Sequence, residues 1–140
     1  MNFIIDCQIY PFHIMVHFGN KKGLIMNLKK YGINLSQKDI KGKYKSLFLN
    51  DNQTVLYMDI IPKTIDELSI LQHEIFHCVM FILDKIGIKL SYKTDEIYAY
   101  LIQYITKQIY LKISPTSFSV YCIYNHRTTK TNQKYPSVNL

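Results

Sequence analysis

His73, Glu74 and His77 carry the clearest chemical signal in the chain, in the run His73-Glu74-Ile75-Phe76-His77. The pattern is HExxH. On an α-helix, residues four apart stand one turn from each other on the same face. Both imidazoles can then reach one metal ion, and the carboxylate of Glu74 lies nearby. In a zinc hydrolase that carboxylate takes the proton from a zinc-bound water. The plain alternative is that the two histidines and the glutamate face solvent or are satisfied by hydrogen bonds.

The flanking residues predict the helix that the motif needs. Leu68, Leu71, Ile75, Val79, Ile82 and Ile86 recur at helical spacing. One long amphipathic helix is expected from about Thr64 to Ile86. Thr64 or Asp66 suits the N-cap, with Glu67 completing a capping box. Gly87 suits the C-terminal stop. Cys78 directly follows the second histidine but points about 100° away on the helix, so it reads as core packing.

A second helix is expected from Asp95 to about Leu111, with Thr94 as N-cap. Its first turn offers Asp95 and Glu96. Acids there commonly stabilise the helix dipole, and Asp95 fits that role. Glu96 shares a face with Ala99, Tyr100, Gln103 and Lys107. Small Ala99 would let that face approach the first helix in an αα-hairpin, which makes Glu96 the candidate third ligand.

The run LQHEIFHCVMFILDKIGIKLSYKTDEIYAYLIQYITKQIY resembles small phage-encoded proteins of minimal gluzincin type, a branch of the zincin metallopeptidases. In those, a HEifH helix is followed by a short loop and an E-x-x-A-Y-L helix. Ile9-Tyr10-Pro11-Phe12 also resembles the start of such proteins. The resemblance is strong over residues 64–111, weaker over 9–63 and absent after Leu111. It implies a Zn2+ site with His73, His77 and Glu96 as ligands and Glu74 as general base. The implied function is a zinc-dependent hydrolase, most naturally a peptidase acting on a peptide or protein substrate. No counterpart is seen for the second lobe of larger peptidases or for a C-x-x-C zinc ribbon.

The remaining elements suggest an α+β fold, a small mixed or antiparallel sheet packed against the two long helices. Residues 2–10 and 12–18 read as strands, with Pro11 marking an edge or bend. Leu24, Ile25, Leu28 and Tyr31 suggest a short helix ending at Gly32. Residues 45–49 and 54–60 read as a hairpin around 50–53. Residues 1–111 would form a single zincin-like domain, sheet-rich over 1–62 and with the site helices over 64–111. Residues 112–140 would add a strand at Ser117–Tyr124 and a basic tail. By analogy with zincins, an edge strand would line the cleft and bind an extended peptide by strand addition.

Composition narrows the classes. The chain has 140 residues, enough for one core, and 48% hydrophobic residues, which excludes a disordered chain. Its longest apolar stretch, Ile75 to Leu83, is too short to span a membrane. The N-terminus lacks the features of a signal peptide. Cys7, Cys78 and Cys122 are odd in number and lack metal-type spacing, which suits a reducing cytoplasm, that of a host cell if the chain is phage-encoded.

Net charge is +7. Lys112, Arg127, Lys130 and Lys134 make the end of the chain basic, which a solvated terminus explains better than a nucleic-acid contact. His13 and His17 are also four apart, but on a strand they lie too far apart for easy chelation. Tyr92, Tyr100, His126 and Arg127 are rival candidates for stabilising an oxyanion. Two further readings stay open. One is a catalytically silent, zinc-stabilised virion or cargo protein. The other is a basic binder of nucleic acid or a host factor.

Overall fold

The computed structural model describes residues 1–8, 10–49 and 53–114. Their elements run β1 (Asn2–Asp6), β2 (His13–Phe18), α1 (Lys21–Lys29), β3 (Tyr44–Phe48), β4 (Gln53–Met58), α2 (Ile65–Lys85) and α3 (Asp95–Ile113). The fold is α+β. The expected strand at 117–124 and the basic residues of the tail lie outside the described residues.

The four strands form a mixed sheet in the order β1-β2-β4-β3. β1 pairs antiparallel with β2, from Asn2 opposite His17 to Asp6 opposite His13. β2 and β4 are parallel, with α1 in the connection between them. β3 pairs antiparallel with β4 and forms one edge.

Alternation sends the strand side chains to two different cores. Ile14, Val16, Phe18, Leu56 and Met58 pack with Leu71, Ile75 and Val79 of α2 and Leu101 and Ile105 of α3. Val55 and Tyr57 face the other way and bury Leu24 and Leu28 of α1 together with Ile40. The sheet therefore separates α1 from the α2–α3 pair.

Both ends of α2 are closed by local chemistry. Thr64 Oγ1 accepts from the Glu67 amide at 3.2 Å, and Glu67 Oε2 accepts from the Thr64 amide at 3.0 Å. At the other end Gly87 adopts φ +82°. Its amide donates to Asp84 and that of Ile88 to Leu83, the Schellman pattern that only a left-handed residue allows comfortably. Thr94, the expected cap of α3, makes no side-chain cap bond. Its hydroxyl instead donates to the Lys89 carbonyl at 2.6 Å and closes the α2–α3 loop.

A candidate metal centre on α2

His73 and His77 stand on the solvent face of α2, opposite its buried stripe of Leu71, Ile75, Val79 and Ile82. Their Nε2 atoms approach to 3.0 Å. The rings are nearly perpendicular, with centroids 4.5 Å apart. One ring donates to the other. Two nitrogen ligands on a tetrahedral zinc stand about 3.3 Å apart, given Zn–N bonds of about 2.0–2.1 Å. The two nitrogens are a few tenths of an ångström closer than that, and each ring would have to turn to aim its lone pair at a shared ion.

Glu74 takes a different direction. It is buried between α2 and the edge strand, 8% exposed. Its Oε2 accepts a hydrogen bond from Ser46 Oγ of β3 at 2.7 Å, and the same hydroxyl lies 2.8 Å from the Glu74 backbone oxygen. The Cys78 thiol donates to Ser46 Oγ at 3.7 Å. Burial pushes the Cys78 thiol up to about 11, so it stays a neutral donor and not a thiolate ligand. Cys7 is likewise pushed up to about 12, by burial first and then by Cys78 and Asp6. Ser46 lies 28 residues before Glu74, and no local pattern in the sequence marks it.

Glu96 is not brought to the histidines. The buried stripe of α3 is Tyr98, Leu101, Ile105 and Ile109. That apolar stripe decides how the helix docks, and it turns Glu96, Ala99, Tyr100, Gln103 and Lys107 to solvent. Small Ala99, the expected marker of the docking face, lies off it. Glu96 is also displaced along the axis. Gln72, beside His73, bonds Thr106 and Tyr110 of α3, both at 3.3 Å. Glu96 lies ten residues before Thr106, about 15 Å of helix. Among the described residues no group of three or more His, Cys, Asp or Glu side chains converges. The donor set fits a two-nitrogen foothold for a borderline cation and stops short of a three-ligand cage.

Of the other sequence candidates, His126 and Arg127 lie outside the described residues. Tyr92 and Tyr100 are both exposed. His13 sits at a strand end, 4.0 Å from Asp6. His17 is buried and bonded to Asn20 and Asn27 at 3.3 Å each. Comparison with protein-family models, curated proteins and solved structures finds no match. No helix among the described residues is long and apolar enough to cross a membrane.

Proposed function

We propose that this chain is a zinc-dependent hydrolase, a peptidase in substrate class, that holds its metal through His73 and His77 and uses Glu74 as general base. The observation that carries this reading is the 3.0 Å approach of the two Nε2 atoms on the turn that also bears Glu74. Zinc at that pair would supply a Lewis acid and lower the pKa of a bound water to about 7. Glu74 is the chain's own group for accepting the proton of that water. Ser46 holds Oε2, and the proton would go to Oε1 once that carboxylate oxygen faces the water.

The fold supports a zincin-like arrangement on one further count. β3 is an edge strand packed beside α2, and Ser46 on its inner side touches Glu74. Its outer edge could take up an extended peptide by strand addition. The outward direction of Glu96, and the tie between Glu74 and Ser46, favour a second reading. In it the chain carries metal at the two histidines without hydrolysing anything, as a virion or cargo component would.

Metal content by mass spectrometry, measured on wild type and His77→Ala, tests the shared part. Bound zinc in the wild type that is lost in the variant is expected; equal metal in both removes the site. Cleavage of a diverse peptide library by the zinc-loaded protein then separates the two readings.

A further inference from the structure

The positive charge of this molecule is concentrated on one side of the sheet. Residues 21–45 contain eight lysines and a single acid, Asp39. That excess equals the net charge of the whole chain, +7, so the remaining residues balance to zero. The basic C-terminal tail, prominent in the sequence, is the smaller contribution.

The fold places these lysines together. Lys21, Lys22, Lys29 and Lys30 belong to or directly follow α1, whose Leu24 and Leu28 are used up in the core. Lys38 and Lys41 flank Ile40, which is buried in the same small core as α1. Lys43 precedes β3. Lys45 shares its pleat with Leu47, which packs on the α1 side, away from Ser46 and Glu74. Among the described residues the one ion pair within 4.0 Å is His13 with Asp6, so no lysine of this face pairs with a carboxylate of those residues. Like charges gathered without counter-charges repel one another and weaken the fold unless an anion is supplied from outside.

We infer that the α1 face is a nucleic-acid-binding surface that contacts the phosphodiester backbone. The lysine pairs at the two ends of α1 lie about 12 Å apart, close to the width of a DNA major groove. Exposed Tyr31 follows the second pair and offers a ring on which an unpaired base can stack. An anionic membrane fits less well. A membrane-bound helix needs a free apolar face, and the apolar face of α1 is buried against Val55 and Tyr57. The surface lies across the sheet from the histidine pair, so it stands independently of the metal site.

The test is fluorescence anisotropy of labelled 20-nucleotide single-stranded DNA and of a 20-base-pair duplex, titrated with the full chain over a salt series. The expected result is binding that weakens linearly in log salt. Replacing Lys21, Lys22, Lys29 and Lys30 together by Gln is expected to weaken binding at least tenfold at low salt. It should also flatten the duplex salt slope by about 0.9 for each phosphate that the variant no longer neutralises. Circular dichroism confirms that this variant, altered only at the periphery of α1, stays folded. Tyr31→Ala lowers affinity for the single strand alone if stacking contributes. Three outcomes overturn the inference: no binding at low salt, binding unchanged in the lysine variant but lost in Arg127/Lys130/Lys134→Gln, or tighter binding to phosphatidylserine vesicles or polyglutamate than to either DNA.

Discussion

Ser46 on β3 and Glu74 on α2 are joined by a 2.7 Å hydrogen bond that ties the edge strand to the turn carrying the two histidines. The hydroxyl proton serves a buried carboxylate, and the Cys78 thiol donates to the same oxygen. Removing the hydroxyl leaves a buried acceptor without its donor. Ser46→Ala is therefore expected to cost about 1–3 kcal/mol. In a chain of this size that corresponds to a fall in melting temperature of roughly 3–10 °C. Calorimetry on the metal-free protein checks it, and an unchanged melting temperature would mean that water replaces Ser46 at no cost.

Glu74→Gln separates structure from chemistry at the same position. The amide keeps the size of the side chain and an oxygen to accept from Ser46, but it cannot take up a proton. Metal content and melting temperature should stay close to wild type. Hydrolysis, on the proposed reading, should fall by about a hundredfold or more. Rates are compared at equal zinc occupancy, and retained cleavage would exclude Glu74 as the base.

Metal retention is expected to depend on the histidines and not on Glu96. His73→Ala or His77→Ala removes half of a two-nitrogen foothold, and bound zinc should drop to background. Glu96→Ala removes an exposed side chain on the far face of α3 and should leave zinc content unchanged. Zinc lost on Glu96→Ala would show that α3 can turn its outer face inward, as the gluzincin resemblance implies.

The contrast between the two helices explains what can be read from residues alone. The span of α2 follows from local rules: a capping box, a regular apolar period and a glycine where the chain must turn left-handed. The direction of α3 is a tertiary matter. Its position relative to α2 depends on Tyr98, Leu101, Ile105 and Ile109 competing with the Glu96–Ala99–Gln103 face for the core. The apolar stripe wins because burial outweighs the convenience of a small residue. Ser46 is invisible for a related reason, since its partner is 28 residues away. The basic face needed no structure to count, only to locate. Its lysines follow no motif and become one surface when α1, Ile40 and β3 share a side of the sheet.

Thr64 gives a local test of α2. Its hydroxyl and the Glu67 carboxylate satisfy two helix-end donors reciprocally. Thr64→Ala should lower stability by about 1 kcal/mol. Glu67→Ala should cost more, because the same carboxylate also accepts from the Lys63 amide at 2.7 Å, and the double variant should cost less than the sum of the two, measured by urea unfolding.

The pH dependence of folding should come from His17. Its ring is buried against Tyr57, with centroids 6.1 Å apart. Nδ1 lies 3.3 Å from Asn27 Nδ2, which can only donate, so it is the acceptor; Nε2–H then donates to the Asn20 carbonyl. That arrangement requires the neutral ring. Burial holds its pKa below the ordinary 6.5; the Asn20 carbonyl opposes this in part, and the N-terminal ammonium adds a lesser lowering. A histidine with a lowered folded-state pKa binds its proton more readily when unfolded. Its contribution is fully present above about pH 6.5 and is lost as pH falls below that value toward the folded pKa. Asp39 and Glu67, whose pKa values are also lowered, act in the same sense but only near and below the ordinary carboxylate range. The window between about pH 5 and 6.5 therefore isolates the histidine. Urea midpoints of the metal-free protein should fall across that window, and His17→Gln, which carries no titratable ring, should flatten the fall. The two histidines of α2 are controlled with His73→Gln/His77→Gln in the same buffers. A slope that survives His17→Gln and disappears in that control would assign the effect to α2 instead.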